Sequence, residues 1–427
     1  MGVAVFAVFF FLLAMGFPLF LVIGVASAFP LLIGSDVTTP SYIIRSMVSG
    51  VDNLTILALP LFMFSGNIMA AGGISKKIFD VFSYLVGKKT AGIPIAVIVT
   101  CVFYGAICGS GPATTAAVGA LAIPILLANG YDKNFCAALI ASAGSIGIII
   151  PPSTPMMTFG VMTDTSVGNL FTAGILPGFL GALCLIIYVV IYCKRQGEDK
   201  ELILKNYQEL KKVGLGHLLI DGFWALISPI IILGGIYGGI VTPTEAAVIS
   251  VFYSIIISAF VYRTMDFKKF IEIVRGTVKS YAMVGVMVGF AIGFSRMLNS
   301  LRVPTQLAEF LLAHCSSKNV LIMAVIIFLL LIGMVMDVNP AITILAPMLM
   351  PVLQGYGVDP VQFGIICVTC LGVGLFSPPY GLNLFVAAPL ADTDVPSMMK
   401  PTFIFAAVFV IALLLIAFIT QISLWLV

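Results

Sequence analysis

The sequence predicts an all-α polytopic membrane protein with inverted repeats that contain two re-entrant helical hairpins and two broken helices. Its 427 residues are 61% hydrophobic and 9% charged, with a mean hydropathy of +1.17, whereas soluble domains are about 45–50% apolar and about 25% charged. Glycine and proline interrupt several apolar runs at mid-length, and these interruptions recur with similar spacing. A soluble protein would need more charged residues to cover its surface, which excludes that class.

The continuous spans follow from uncharged apolar stretches. Val3–Ile33 has no charged side chain and predicts one span kinked at Pro18. It lacks the basic start of a secretory signal. Ile74–Gly87 is a basic amphipathic segment that we expect at the membrane interface. The other continuous spans are predicted at Leu54–Ala71, Leu170–Cys193, Leu218–Ile240, Ala246–Tyr262, Ser280–Leu301 and within 401–427.

Two apolar stretches are interrupted near their centres and predict re-entrant hairpins. Ala91–Ala128 is interrupted by "GSGP" at Gly109–Pro112, and Asn319–Gly355 is interrupted by "DVNP" at Asp337–Pro340. The arms of the first are too short to span comfortably, because a transmembrane helix needs about 20 residues. Each stretch is therefore expected to enter the membrane and to return to the same side.

Two further spans carry paired prolines. The stretch "GSIGIIIPPSTPMMTFG" covers 144–160, and "GVGLFSPPYGLN" covers 372–383. Paired prolines remove two backbone donors and clash with the preceding turn, so each helix must break at its proline pair. Each interruption is predicted to leave backbone carbonyls without helical partners.

The spacing of glycine, proline and aspartate indicates an internal duplication. Gly130 and Asp132 precede Pro151 by 21 and 19 residues, and the second half repeats both intervals. A glycine stands four residues before each proline pair, and a hairpin proline stands 39 or 38 residues before it. The matching positions in the second half are Gly357, Asp359, Gly374, Pro340 and Pro378. Such agreement over several positions predicts two copies of one structural unit.

The basic residues predict the orientation of the chain. With a cytoplasmic N-terminus, 17 of the 21 Lys and Arg residues fall on the cytoplasmic side, as the positive-inside rule requires. The remaining four are Arg45, Arg296, Arg302 and Lys318. On this count the first hairpin enters from inside and the second from outside, so the repeats are inverted and the C-terminus is periplasmic.

The irregular segments predict a transport site. Backbone without partners is costly in hydrocarbon and persists only where it lines a cavity or binds something. Inverted repeats with interrupted helices mark transport sites at the bilayer midplane. Carbonyls, hydroxyls and amides with few carboxylates suit Na⁺, while helix starts near Ala113 and Ala341 can hold a carboxylate. An anion carried with sodium is the expected pair.

Specific residues follow from this chemistry. Two Na⁺ sites are predicted, one in each repeat, and substrate contacts are predicted beside them. The first Na⁺ site is assigned to Gly109, Ser110, Gly147, Ile150 and Pro152. The second is assigned to Val338, Asn339, Gly374, Ser377 and Tyr380. Substrate contacts are assigned to Ser110, Thr114, Thr154, Asn339 and Asn383.

Alternatives accompany several of these residues. The glycine and proline breaks could serve only the close packing of kinked helices. Asp337 could bind Na⁺ or, when protonated, couple H⁺ instead. Arg296 is expected to extend outward from the end of a span rather than to bind substrate. Asp164 is expected to mark the outer end of the first broken span, and Glu245 to cap a helix.

Several motifs in order resemble the large membrane subunit of tripartite ATP-independent periplasmic (TRAP) transporters, over essentially the whole chain. The duplicated proline breaks also fit this family. The motifs are "NLTILALPLFMFSGNIMAAGGI" at Asn53–Ile74, "GAICGSGPATTAAVGA" at Gly105–Ala120, "GILPG" at Gly174–Gly178 and "GGIVTPTEAA" at Gly238–Ala247.

The resemblance implies an elevator-type importer in the bacterial inner membrane, in which a mobile domain carries both hairpins past a scaffold. It implies Na⁺-coupled symport of an organic acid of the C4-dicarboxylate or sialic acid type. It also implies a small four-span subunit on a separate chain and a periplasmic binding protein. The implied division is 1–90 scaffold with interfacial helix, 91–170 first transport repeat, 171–300 central scaffold with a cytoplasmic loop, 301–400 second transport repeat, and 401–427 C-terminal span.

Other functions fit the sequence less well. A stand-alone dicarboxylate symporter or an ion antiporter of the same broad superfamily would share the hairpins but need no partner. A channel predicts a continuous polar pore instead of discrete breaks. An enzyme is not expected, because the sequence has no nucleotide loop, no metal-ligand helix motif and no Ser/His/Asp set, and nucleic acid is not an expected partner.

Overall fold

The computed structural model describes residues 1–33, 39–52, 54–306, 309, 317–379 and 381–427, and these residues form helices without strands. A single 3-10 turn, Ile146–Ile148, follows α8. The first nine helices are α1 Gly2–Ala14, α2 Leu19–Leu32, α3 Pro40–Val51, α4 Leu54–Ala71, α5 Ile74–Val86, α6 Gly92–Cys108, α7 Gly111–Ala128, α8 Lys133–Ser145 and α9 Thr154–Thr163.

The remaining helices complete the described chain, and a π turn at Ile257–Val261 extends α13. They are α10 Val167–Gln196, α11 Lys200–Val213, α12 Leu215–Tyr237, α13 Pro243–Ile256, α14 Phe267–Ser300, α15 Lys318–Gly333, α16 Val338–Gly355, α17 Pro360–Gly374, α18 Leu382–Leu390, α19 Val395–Phe418 and α20 Thr420–Leu424.

Eight of the described helices are long and apolar enough to cross a membrane. They are α4, α7, α10, α12, α13 with its π turn, α14, α16 and α19. The first arm of each hairpin, α6 or α15, is a shorter apolar helix, and so is the first half of each broken helix, α8 or α17. The prediction of an all-α polytopic protein is confirmed, and its short segments lie where the breaks were predicted.

Four parts of the predicted layout differ from the structure. The expected first span is two helices, because Gly16 adopts a left-handed conformation and Pro18 lacks a donor. The helix α3 was not predicted, and the cytoplasmic loop expected within 171–300 contains α11. The helix α14 begins at Phe267, because Asp266 caps it there.

The helices divide into two packing groups. The first, called the flanking group, comprises α1–α5 and α11–α14, in which α4 packs on α13 and α14 packs on α2, α3 and α4. The second, called the hairpin group, comprises α6–α10 and α15–α20. In it α10 packs on α6, α17 and α19 but contacts α12 only slightly. The groups meet chiefly along α4, α5 and α14.

Both halves of the hairpin group contain the same order of elements: two hairpin arms, a turn, a helix, a break and a shorter helix. In each turn a left-handed glycine, Gly130 or Gly357, ends the second arm. An aspartate two residues later, Asp132 or Asp359, accepts backbone N–H bonds and caps the next helix. The repeated spacing in the sequence therefore corresponds to a repeated local structure, while the inverted orientation stays a prediction.

A contact on the predicted cytoplasmic side ties the start of the first hairpin to the loop after α10. The carboxylate of Glu198 accepts the Ala91 N–H at 3.0 Å and the Tyr131 hydroxyl at 2.5 Å. Burial and this hydrogen bond raise the pKa of Tyr131 well above its usual value. The Tyr131 phenol therefore stays protonated and remains a donor.

Candidate substrate and cation site

The tip of the first hairpin is a two-residue connection, Gly109 and Ser110, between α6 and α7. Gly109 is left-handed, which glycine adopts without steric cost. Ser110 is the N-cap of α7, but its hydroxyl makes no capping bond. Its carbonyl accepts the Thr114 hydroxyl at 2.8 Å. The first N–H groups of α7 are therefore not satisfied by a side-chain cap, as a helix-terminal anion site requires.

This tip docks on the first break. The Gly109 carbonyl accepts both the N–H and the hydroxyl of Thr154, at 3.2 and 3.1 Å. A Cβ at Gly109 would lie 2.5 Å from the Pro152 carbonyl oxygen, so only glycine fits here. Because both lone pairs of the Gly109 carbonyl are used, this oxygen can bind a cation only by exchanging its bonds with Thr154.

The first break is buried, and its backbone carbonyls have hydrogen-bond partners that differ from those in a regular helix. Pro151 has no N–H to donate to the Gly147 carbonyl. The hydroxyl of Ser153 donates to the Ile148 carbonyl at 2.5 Å and also accepts the Met156 N–H as the cap of α9. The proline pairs at 151–152 and 378–379 are joined by cis peptide bonds.

Glycine pairs hold the first arm of each hairpin against the break of its own repeat. A Cβ at Gly105 would lie 2.4 Å from the Cα of Gly147. A Cβ at Gly374 would lie 2.4 Å from the backbone of Gly333. Gly105 lies four residues before Gly109, and Gly333 lies four residues before Asp337. Their partners Gly147 and Gly374 each lie four residues before a proline pair. These glycines therefore allow close backbone packing, and ligation by the carbonyls of Gly147 and Gly374 stays a prediction.

The second tip differs in charge from the first. It covers Met334–Asp337, three residues earlier than predicted, because Pro340 fits within the first turn of α16. Asp337 is the N-cap of α16, and its carboxylate accepts the Val338 N–H at 2.8 Å. Asn339 is half-buried in the same turn. The second tip therefore holds its own carboxylate at the helix start, whereas the first tip does not.

The helix α9 joins the two tips within one helical turn. Thr154, at its start, donates to Gly109 of the first tip, as described above. Thr158, four residues later, donates its hydroxyl to Asn339 Oδ1 at 3.1 Å. Residues four apart lie on the same face of a helix. Gly109 of the first tip and Asn339, in the helical turn directly after the second tip, therefore meet at one face of α9.

The second break lies beside the first repeat. Ser377 donates its hydroxyl to the Val373 carbonyl at 2.7 Å, and the Leu375 carbonyl accepts the Asn383 N–H. The side-chain amide of Asn383 donates to the Ala141 carbonyl at 2.9 Å and to the Ser145 hydroxyl at 3.0 Å. The helix α18 packs on α7 and α8, while α9 packs on α16. The second half of each broken helix thus packs on the other repeat's hairpin.

Two buried oxygens near this crossing have no hydrogen-bond partner among the described residues. They are Asn383 Oδ1 and Thr115 Oγ1. A Cβ at Gly111 would lie 3.6 Å from Asn383 Nδ2, so Asn383 lies beside the start of α7. Buried polar atoms without partners are rare in folded proteins. These oxygens fit the donor set of a hard cation or of a hydrogen-bonding ligand.

The structure brings the predicted residues together in part. Ser110, Thr114 and Thr154 cluster at the first tip, Asn383 lies beside it, and Asn339 joins through Thr158. Val338, Gly374 and Ser377 belong to the second tip and break. Their roles as ligands stay predictions. Tyr380, assigned to the second Na⁺ site, lies outside the described residues.

Sequence reasoning missed Thr158, Thr115 and Ser145. Thr158 contacts the opposite tip, and Ser145 contacts Asn383. The i, i+4 spacing of Thr154 and Thr158 was a usable signal, because it places both hydroxyls on one helix face. Thr115 and Ser145 carried no such signal, since their significance depends on which helix lies opposite.

Comparisons with known proteins identify the family of this chain. The profile of a family described as "Tripartite ATP-independent periplasmic transporter, DctM component" matches residues 6–422. The isethionate TRAP transporter permease protein DctMQ of Oleidesulfovibrio alaskensis is 38% identical over 96% of this chain, which spans 65% of that relative. The C4-dicarboxylate large permease DctM of Pseudomonas aeruginosa is 33% identical over 94% of this chain and 92% of its own. The sialic acid large permease SiaM of Vibrio cholerae is 32% identical over 97% and 95%.

A solved structure agrees with the fold. The crystal structure of the Alcanivorax borkumensis YdaH transporter matches with a TM-score of 0.60 over 90% of each chain. At 17% identity this likeness shows the fold alone. The family resemblance predicted from the motifs is confirmed by the profile match and by relatives above 30% identity. The chain therefore belongs to the tripartite ATP-independent periplasmic transporter family, as its DctM or large permease component.

Proposed function

We propose that this chain is the membrane component of a secondary importer that carries an organic acid together with Na⁺. The observation that supports this most is that one turn of α9 contacts both the first tip, through Thr154, and the helix start directly after the second tip, through Thr158. Two half-helix starts and a set of neutral oxygens converge there, inside an apolar chain. Such a centre suits binding and release of a charged solute rather than covalent chemistry.

The first tip is the better site for the acid's carboxylate. The start of α7 has no side-chain cap and no carboxylate of its own. The start of α16 already holds the carboxylate of Asp337, which would repel a second anion. Ser110, Thr114 and Asn383 supply hydroxyl and amide groups beside the first tip. Isethionate, C4-dicarboxylate and sialic acid, which appear in the names of relatives, are organic acids or their anions.

Sodium is the proposed coupling ion. The tips and breaks offer carbonyl, hydroxyl and amide oxygens and one carboxylate, and no group of three or more His, Cys, Asp or Glu residues is found in the described part of the chain. This donor set suits a hard monovalent cation. Asp337 is placed to balance the charge of a cation at the second tip. Two or more Na⁺ ions are proposed, at the sites assigned above.

Movement and partners complete the proposal. The hairpin group contains both tips and both breaks, so we propose that it moves as a unit past the flanking group in an elevator mechanism. A small membrane subunit and a periplasmic binding protein are the proposed partners, and the bacterial inner membrane is the proposed location, with the N-terminus in the cytoplasm and the C-terminus in the periplasm. The stand-alone symporter remains the alternative, and activity without a binding protein would favour it.

Uptake in liposomes tests the function and the role of α9 together. The chain is purified with its small membrane subunit, reconstituted, supplied with the separately purified periplasmic binding protein and given labelled acids under an imposed Na⁺ gradient. Thr158→Val should slow uptake by about tenfold or more, because it removes the donor to a partly buried amide oxygen. Thr158→Ser, which keeps the hydroxyl, is the matched control and should approach the parent rate. Uptake that requires ATP and ignores Na⁺ would refute the mechanism.

A further inference from the structure

A polar cavity lies between the two packing groups, away from the hairpin tips. Its volume is about 480 Å³, within the range of about 300–1,000 Å³ typical of small-molecule sites. The helices α3 and α14 of the flanking group form one side, and α9 and α16 of the hairpin group form the other. The polar groups that line it are Ser49, Thr163, Asp164, Ser295, Arg296, Asn299 and Gln354.

Arg296 is the only cationic residue that lines this cavity within the described part of the chain. It is exposed, and its Nη1 donates to the Ser49 hydroxyl at 3.1 Å. It forms no ion pair with a described carboxylate. A guanidinium has five N–H donors in a fixed fork that matches a carboxylate. Ser49 uses one of these donors, so most of the guanidinium remains available to a ligand. Arg296 therefore faces this cavity, whereas the sequence predicted that it would extend outward.

Asp164 provides a single negative charge from the hairpin group. It ends α9 in a left-handed conformation with φ of 54°, and its side chain is exposed. A carboxylate accepts hydrogen bonds from hydroxyl groups but repels another carboxylate. Asn299 and Gln354 add neutral donors and acceptors. The lining therefore suits a molecule with one carboxylate and several hydroxyls, and it disfavours a second carboxylate.

Two helices connect this cavity with the transport site. Thr158 on α9 contacts Asn339 on α16 at the tips, and both helices continue from there to the cavity wall. Asp164 follows Thr158 by six residues and Met350 follows Asn339 by eleven, which are about 9 and about 16 Å along a helix. A ligand in the cavity therefore lies within roughly three helical turns of the tips.

We propose that this cavity is an outer subsite for a hydroxylated monocarboxylate, with its carboxylate on Arg296 and its hydroxyls on Asp164, Asn299 and Gln354. The proposal deepens the proposed function, because it names the class of acid that reaches the tips. It also assigns the discrimination between monocarboxylates and dicarboxylates to Asp164.

Ligand-dependent thermal unfolding of the full-length chain in lipid nanodiscs tests the subsite without a partner. The probes are D-gluconate, with one carboxylate and several hydroxyls, and succinate, with two carboxylates. D-gluconate should raise the unfolding temperature with a lower half-saturating concentration than succinate. Arg296→Gln should raise the half-saturating concentration of D-gluconate roughly 10- to 100-fold, as expected for loss of a charged hydrogen-bond partner.

Two further variants make the test specific. Arg302→Gln changes an exposed arginine that does not line the cavity, and it should match the parent chain. Asp164→Asn keeps a residue type that tolerates the left-handed conformation. It should lower the ratio of the half-saturating concentration of succinate to that of D-gluconate by roughly fivefold, because it removes the repulsion of the second carboxylate.

The outcomes separate this proposal from the proposed function. No stabilisation of the parent chain by D-gluconate, equal curves for the parent and Arg296→Gln, or an equal loss in Arg302→Gln would overturn the subsite. An unchanged ratio in Asp164→Asn would overturn the assigned selectivity. Stabilisation that depends on Arg296 supports the subsite even where liposomes show no Na⁺-driven uptake, which would refute the transport proposal alone.

Discussion

Four glycines bring backbone against backbone where the hairpins meet the breaks. Gly105 contacts Gly147 in the first repeat, and Gly333 contacts Gly374 in the second. A side chain at any of these positions would separate a hairpin arm from the carbonyls beside the proline pair. The glycines therefore set the distance between tip and break, on which the geometry of a cation site depends.

Gly374→Ala should destabilise the protein by about 1–3 kcal/mol, because its Cβ would meet the Gly333 backbone, which cannot move aside as a flexible side chain would. Thermal unfolding in detergent measures the change. The matched control is Gly276→Ala in α14, where no atom lies within 4 Å of the added Cβ. This control should be neutral or stabilising by up to about 1 kcal/mol. Equal effects of the two variants would contradict the role of the contact.

At the scale of elements, the aspartate caps in the repeated turns contribute to the free energy of unfolding. The carboxylate of Asp359 accepts the N–H groups of Val361 and Gln362 at the start of α17. Asp359→Ala should therefore cost about 1 kcal/mol and speed hydrogen exchange of these amides. Asp359→Asn keeps a capping oxygen and should stay close to the parent chain. Unchanged exchange in the alanine variant would show that the cap is not needed.

Elements with strong local signals could be predicted from the sequence. Gly109, Pro151 and Pro378 each impose a backbone change that no neighbour can reverse, so the hairpin tips and breaks were placed within a few residues. The first span was predicted as one helix kinked at Pro18, since its uniform apolar composition does not distinguish a kink from two helices separated at Gly16. The helices α3 and α11 are amphipathic, so hydropathy alone left α3 without a predicted element and α11 within a loop.

The site was harder to predict than the elements. Residues next to a break, such as Ser110 and Ser377, could be selected because the break itself points to them. Thr158 and Ser145 lie inside regular helices, and their importance arises from a partner about 180 or 240 residues away. Sequence spacing describes neighbours along one helix, whereas these contacts depend on how different helices cross.

At the scale of the whole molecule, the packing suggests a different boundary for the proposed moving unit. The predicted division assigns 171–300 and 401–427 to the scaffold and the C-terminal span. However, α10 packs on α19, and both pack on the broken helices. The rings of Tyr188 on α10 and Phe405 on α19 are in edge-to-face contact, with their centroids 4.7 Å apart. We therefore expect α10 and α19 to move with the hairpins.

Cross-linking distinguishes movement between the groups from movement within one. Ser295 on α14 and Met350 on α16 line the same cavity from different groups. Cysteines at these two positions, bridged by a flexible thiol-reactive reagent, should arrest uptake because the groups can no longer slide. A bridge between cysteines at Tyr188 and Phe405, within the hairpin group, should leave uptake largely intact. Mass spectrometry identifies each bridge, and arrest by both bridges alike would argue against an elevator with this boundary.

The single turn of α9 between Thr154 and Thr158 has a thermodynamic consequence. A ligand that displaces either hydroxyl alters the position of a helix face on which the other tip also depends. If the tips bind the acid and the ion as proposed, binding at the two tips is linked, and the coupling free energy must be the same in both directions. If sodium tightens the affinity for the acid by some factor, the acid must tighten the affinity for sodium by the same factor. One turn of helix would then set how strictly the acid and the ion travel together.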